Sequence, residues 1–163
     1  MVSKKFLNKK SIKLKKIGEK LIPELAQTAA KKPSQFSETF SPIFLKSGSG
    51  AMVRDLEGNQ LLDTIMAIGP LILGYNHPST NKAIIEQLKN GIVFSLINSL
   101  EIDLAVKLKK IIPNMDMFRF SKTGADSTSA AIRAARNYTQ KNSVISCGYH
   151  GWHDWNAITL NNT

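Results

Sequence analysis

Residues 121–139 read SKTGADSTSAAIRAARNYT. Thr123-Gly124-Ala125-Asp126 forms a small, flexible turn before an alanine-rich helix. Gly124 can take positive φ, and Ala125 adds almost no side chain, so backbone there can approach a ligand closely. Asp126 or Ser127 can cap the helix that follows. A helix start presents free N–H groups at the positive end of the macrodipole, which suits an anion such as phosphate. Taken alone, a turn of this kind is more often a plain strand–helix connection. A second group, Gly148-Tyr149-His150-Gly151-Trp152-His153-Asp154, combines an aromatic ring with imidazoles. Its His-x-x-His-Asp pattern lacks the Glu of the zinc-protease motif, so loop packing rather than a metal is expected.

These two groups need elements that bring them together. Met117–Phe120 reads as a short strand, 127–139 as a helix and Ser143–Cys147 as a second strand. Ala130, Ala131, Ala134 and Ala135 are dense enough for close helix packing, and Cys147 reads as a small buried residue. Strand, turn, helix, strand is a βαβ unit with a right-handed crossover and a parallel sheet. Loops after parallel strands emerge on one carboxyl edge, where ligands of open α/β folds bind. An anion on the Gly124 and Ala125 N–H groups would therefore lie near Tyr149. An anion cradle beside an aromatic face suits a flat, phosphorylated aromatic cofactor.

The chain before this unit is built differently. Pro23, Pro33 and Pro42 mark 23–42 as an irregular connector. Ala51–Arg54 and Gln60–Asp63 flank the turn residues Leu56–Asn59, which predicts a β-hairpin. GPLILGYNHP, 69–78, reads as an apolar loop with His77 at a turn or interface. Ser79 can cap a helix through about Asn90, with Gly91 as its stop. Asn98 with Glu101 resembles a capping box for a helix over 99–111, with Leu100, Leu104, Leu108 and Ile111 on one stripe and Pro113 beyond its end.

The formal net charge of +10 is concentrated at one end: residues 1–20 carry eight lysines and one acid, +7 of the total. Phe6, Leu7, Leu14, Ile17 and Leu21 can share a rough face of one basic amphipathic helix over 1–21. A solvated helix packing on protein is expected there, and no interleaved aromatics support nucleic-acid binding. The 42% hydrophobic and 21% charged residues are globular values. No apolar run reaches the roughly 18 residues of a membrane span. A single cysteine and the absence of a signal-peptide pattern fit a reducing, cytoplasmic location.

With these residues in place, the chain resembles the class III pyridoxal-phosphate-dependent aminotransferases, in the branch that includes glutamate-1-semialdehyde 2,1-aminomutase. The resemblance runs from about Ile22 onward. It is carried by Asp55-Leu56-Glu57-Gly58-Asn59 with Asp63, by Gly69-Pro70, by Leu73-Gly74-Tyr75-Asn76-His77-Pro78, by Phe120 to Arg136 and by Tyr149–Asp154. It implies an α/β fold of the type I pyridoxal-phosphate transferases, present incompletely. Residues 1–21 would be the basic helix, 22–74 an N-terminal segment with the hairpin, and 75–163 the first part of the large cofactor-binding domain.

The resemblance implies roles residue by residue. The phosphate turn of the family, Ser-Gly-Thr-Glu-Ala, matches Thr123-Gly124-Ala125-Asp126-Ser127, with the threonine hydroxyl lost at Ala125. Tyr149 matches the aromatic that stacks on the cofactor ring, and His150 and Gly151 follow with structural roles. Pyridoxal 5'-phosphate is the implied cofactor, with Thr123, Gly124, Ala125, Tyr149 and His150 in its site. The Schiff-base lysine and the acid on the pyridine nitrogen are expected beyond Thr163, so no catalytic residue is assigned within this chain. Small amine and carbonyl substrates and a homodimer of the full-length enzyme are implied, with neither nucleic acid nor membrane as partner. Where the aminomutase has an Arg after Ser-Pro-x, this chain has Phe44 after Ser41-Pro42-Ile43. A phenyl ring makes no charge-assisted fork to a carboxylate. Amino-group transfer between an amine donor and a carbonyl acceptor is therefore expected, with the aminomutase reaction as one alternative and a truncated, non-catalytic binding chain as another.

Residues 1–20 hold most of the charge and none of these site residues. Deleting them from the full-length enzyme is expected to leave the visible absorbance and the affinity of pyridoxal phosphate unchanged. Loss of that band in a deletion variant that still folds would show the tail to be part of the site.

Overall fold

Alternation through Met52-Val53-Arg54-Asp55 puts two side chains on each face of a strand, and one face is covered: Val53 and Asp55 are buried. The computed structural model describes residues 9–37 and 39–157, in two compact units divided after Val93. In the first unit the expected hairpin is present. Strand β2, Met52–Asp55, follows β1, Leu45–Ser49, and precedes β3, Gln60–Leu62. They form one antiparallel sheet in the order β1-β2-β3, with Val53 opposite Gly48 on one side and Leu61 on the other. Strand β1 was not expected from its sequence, LKSGS, which has no apolar alternation.

Asp55 closes the hairpin turn. It is 1% exposed, and its two carboxylate oxygens accept from the Asn59 backbone N–H and side-chain amide, each at 2.7 Å. Next to it, Glu57 Oε1 accepts from the Ser11 N–H at 2.7 Å. Ser11 lies in the first turn of helix α1, Lys9–Gly18, so a carboxylate sits on the positive end of the helix. The basic helix is thus anchored by its start. Phe6 and Leu7 of its expected apolar face lie outside the described residues. Leu14 and Ile17 are exposed, and Leu21 falls beyond the last helical residue. The proline-marked connector contains three short 3-10 turns, Pro23–Leu25, Ala29–Lys31 and Pro33–Gln35.

Helix α2, Pro78–Asn90, ends at Gly91 as expected, but His77 rather than Ser79 is its N-cap. Pro78 occupies the first helical position, where its missing N–H costs no bond, and this moves the start two residues earlier. Ser79 Oγ instead meets His77 Nδ1 at 3.0 Å. The apolar loop before α2 is pinned to the sheet by reciprocal bonds between Gly50 and Tyr75, 2.9 and 2.8 Å. The Tyr75 hydroxyl donates to Asp63 Oδ2 at 2.6 Å. That bond holds the Asp63 carboxyl below its ordinary range and pushes the Tyr75 phenol up to about 12.

In the second unit, α3 spans Ser99–Ile111, α4 Gly124–Thr139 and α5 Asp154–Ala157. Asn98 caps α3 as expected, though its side chain accepts from the Leu100 N–H, at 2.9 Å, and not from Glu101. The strands expected at Met117–Phe120 and Ser143–Cys147 are absent from the described residues, and with them the parallel pair. A strand exists only through ladder bonds to a neighbour, and neither segment finds one here. Met117 and Ile145 are accordingly open to solvent, and Cys147, expected to be buried, is exposed. The alanine face of α4, Ala130, Ala131, Ala134 and Ala135, is exposed as well, as are Leu100, Leu104 and Ile111 of α3. Val53 and Ala125 are the buried apolar residues among those described. No helix among the described residues is long and apolar enough to cross a membrane.

The Tyr75–Asp63 bond makes stability depend on pH in both directions. The folded Asp63 value is lowered, so its contribution is present above the ordinary carboxylate range and is lost as pH falls through the folded value. The folded Tyr75 value is raised, so its contribution is present below about 10 and is lost as pH rises towards about 12. Tyr75→Phe in the full-length protein should cost about 0.5–1 kcal/mol near neutral pH, the lower part of the hydrogen-bond range because the pair is half exposed. Thermal unfolding of both proteins across pH checks it. The two melting temperatures should converge at acid and alkaline pH, and a constant gap would show that the bond contributes nothing.

Candidate functional site

The start of α4 is built by Thr123. Its Oγ1 accepts from the Asp126 N–H at 3.1 Å, while Asp126 Oδ2 accepts from the Thr123 N–H at 3.0 Å and from its hydroxyl at 2.8 Å. This is a reciprocal capping box, so the cap is Thr123 and not Asp126 or Ser127, and the helix begins three residues before the expected 127. Gly124 becomes the first helical residue, with helical rather than positive φ. Of the first four helical N–H groups, Asp126 donates to Thr123 Oγ1 and Ser127 to the Thr123 carbonyl. Those of Gly124 and Ala125 meet no acceptor among the described residues. A Cβ built on Gly124 meets nothing within 4 Å. The Gly124 donor thus faces open space at the positive end of a 16-residue helix, while the Ala125 donor belongs to a buried residue.

Ala125 has a different surrounding. It is 6% exposed, and the backbone of Gly151 lies on it: a Cβ at Gly151 would stand 2.9 Å from both Cα and Cβ of Ala125. Gly151 also holds φ of 109°, a region L side chains rarely adopt. Small side chains at both positions are what let the 148–154 segment lie against the first turn of α4. Three further bonds secure it. Thr128 Oγ1 donates to the His150 carbonyl at 2.8 Å, buried Asn156 Nδ2 donates to the Gly151 carbonyl at 2.9 Å, and Trp155 Nε1 donates to Ser129 Oγ at 2.9 Å.

The segment therefore turns back onto the helix without a second strand to lead it there. An open cavity of about 380 Å³ lies at this junction, lined by Thr123, Gly124, Ala125 and Thr128 and by Tyr149, His150, Gly151 and Trp152. All five residues expected in the site line it together. Tyr149 is 67% exposed on it. His150 is turned towards its own loop: Nε2 donates to the Cys147 carbonyl at 2.7 Å, which gives the ring a loop-closing part. Gly151, expected to be structural, decides the approach of the loop. Thr128, Ser129, Trp155 and Asn156 were not anticipated. The Thr-x-x-Asp pattern at 123–126 is a legible cap signal, whereas the anchors from 128–129 and 155–156 act across the unit and leave no local pattern.

His153 stands beside the cavity. Its Nδ1 is 2.7 Å from Ser129 Oγ and its Nε2 is 3.5 Å from Asp126 Oδ1, and its ring meets Trp152 edge to face at 4.9 Å. No group of three or more His, Cys, Asp or Glu side chains among the described residues is placed to hold a metal ion.

The family model for aminotransferase class-III matches residues 34–161. A 3-aminobutyryl-CoA aminotransferase of Cloacimonas acidaminovorans (strain Evry) is 40% identical over 147 residues, covering 90% of this chain and 35% of the relative. A glutamate-1-semialdehyde 2,1-aminomutase of Methanosarcina acetivorans is 43% identical over 115 residues, 69% of this chain and 27% of the relative. Among solved structures, a transaminase with PLP bound superposes with a TM-score of 0.83 at 27% identity, over 93% of this chain and 35% of that one. The chain thus spans 27–35% of the length of these curated relatives.

Gly151→Ala should be much worse than Gly148→Ala. Both glycines have positive φ, but a Cβ at Gly148 meets nothing within 4 Å. Backbone strain alone should cost about 1–3 kcal/mol at Gly148, and overpacking against Ala125 should add a further 1–3 kcal/mol or so at Gly151. Denaturant unfolding of the full-length variants checks this. Equal losses would show that the Ala125–Gly151 contact is loose.

Proposed function

The chain belongs to the class-III aminotransferases, and on that premise we propose that it supplies the phosphate cradle and the ring-covering aromatic of a pyridoxal-phosphate site in an enzyme of the relatives' length. The observation that carries the proposal is the pair of N–H groups at Gly124 and Ala125 that meet no acceptor among the described residues, on two residues that line the same cavity as Tyr149. Those residues fit the cofactor. A dianionic phosphate takes backbone donors at a helix start, the absence of a Cβ at Gly124 leaves it room, and Tyr149 offers an aromatic face next to it. Thr123 and Asp126 keep the donors aimed, and His150 keeps the loop that carries Tyr149 closed.

When bound, pyridoxal phosphate supplies the electron sink that lets an amino group pass between an amine carbon and a carbonyl carbon. The part of this chain is binding and orientation: it holds the phosphate by its backbone and covers the ring, and it assigns no proton-transfer group. The substrates proposed are a small amine or amino acid and a carbonyl acceptor. Phe44 favours a transaminase over the aminomutase, because a neutral ring there offers a substrate carboxylate no counter-charge. The exposed apolar residues of α3 and of 92–97 support a longer chain that covers them, and a homodimer in the cytoplasm is part of the same proposal.

Gly124→Val tests the cradle in the full-length enzyme. Because a Cβ at 124 meets nothing within 4 Å outside its own helix turn and the backbone is helical, the variant should fold. It should bind pyridoxal phosphate roughly ten- to a hundredfold more weakly, about 1.5–3 kcal/mol, through loss of charge-assisted bonds. Tyr149→Ala should cost less, on the order of 0.5–1.5 kcal/mol beyond the lost contact area, and Tyr149→Phe should be nearly silent. Wild-type affinity in a folded Gly124→Val would reduce the turn to a connection between elements.

A further inference from the structure

The capping box that aims the Gly124 and Ala125 N–H groups is tied at its outer side to one histidine. Trp155 Nε1–H can only donate, so Ser129 Oγ accepts it, at 2.9 Å. Ser129 Oγ is also hydrogen-bonded to His153 Nδ1, at 2.7 Å. His153 Nε2 faces Asp126 Oδ1 at 3.5 Å, an ion-pair rather than a hydrogen-bond distance. The other oxygen of the same carboxylate takes both Thr123 donors, the N–H at 3.0 Å and the hydroxyl at 2.8 Å. A run of contacts therefore leads from Trp155 through Ser129 and His153 to Asp126, and Asp126 sets the turn at Thr123.

We propose that His153 is a positioning residue for cofactor phosphate, acting through Asp126 on the first turn of α4; this rests on the cofactor reading above. Two physical effects combine. Asp126 is a negative charge in the same helical turn as the two donors, favourable to the helix but repulsive to an incoming phosphate. The imidazole edge beside Oδ1 draws that charge to the side of the 148–154 segment. It also fixes the carboxylate plane, so that Oδ2 cannot leave Thr123 without breaking the contact to His153. The Trp152 ring packed edge to face on the imidazole, and the Ser129 bond on its far nitrogen, leave His153 little freedom to move away. His150 cannot replace it, because its Nε2 is committed to the Cys147 carbonyl.

The test uses the full-length apoenzyme with two probes, pyridoxal phosphate and pyridoxal, which lacks the phosphate. Affinities are taken from quenching of protein fluorescence, and the ³¹P shift of the bound cofactor is recorded. His153→Ala should lose about three- to tenfold in affinity for pyridoxal phosphate while pyridoxal changes little, and the ³¹P shift should move. His153→Gln keeps an N–H for Asp126 and should recover most of both. An equal loss for the two probes, or no loss in His153→Ala, would overturn the positioning part. Failure of His153→Gln to improve on His153→Ala would overturn it as well. Gly124→Val separates the two proposals. If it discriminates the probes as wild type does, the cradle itself is wrong; if it loses the discrimination while His153→Ala keeps it, only the part assigned to His153 falls.

Discussion

A carbon atom at Gly151 would lie 2.9 Å from both Cα and Cβ of Ala125. The close approach of these two residues fixes where the 148–154 segment meets α4. It brings the 148–154 segment onto the first turn of α4, and therefore Tyr149 beside the Gly124 and Ala125 N–H groups. The contact tolerates nothing larger on either side, since packed interiors give way only at a cost in strain. It also explains why Ala125 lacks a polar side chain: its Cβ faces the loop backbone, and its N–H is what remains for a ligand.

The polar bonds around that contact have a common logic. Each joins a residue of α4 to the returning segment, or one part of that segment to another: Thr128 to the His150 carbonyl, Trp155 to Ser129, Asn156 to the Gly151 carbonyl. None uses the two N–H groups at the helix start. The capping box leaves them out as well, because the side chain of Thr123 serves the third helical residue. The loop and the cap are thus satisfied while the Gly124 and Ala125 N–H groups meet no acceptor among the described residues, which leaves them available to an anion at the helix start.

Local pairings were readable from the chain and distant ones were not. The hairpin over 52–62 was legible because both strands and their turn lie within a dozen or so residues, and α3 because cap, stripe and stop occur in order. Strands at 117–120 and 143–147 were inferred from short apolar runs, which carry no information about a partner; without one they form no ladder. The exposed alanine face of α4 reflects the same shortage of neighbours. The five residues expected in the site do line one cavity, yet the reason given for Gly124 was mistaken. Its value lies in the missing side chain at a helical position, not in positive φ; positive φ belongs instead to Gly148 and Gly151. Glu57 on the α1 start and His153 on Asp126 bridge residues far apart in sequence, and single residue types gave no sign of either.

The most direct measurement is a crystal structure of the full-length enzyme with pyridoxal phosphate. Phosphate oxygens should lie within about 2.7–3.2 Å of the Gly124 and Ala125 nitrogens, with the Tyr149 ring over the pyridine. A phosphate held elsewhere, with both N–H groups facing water, would contradict the cradle at the start of α4.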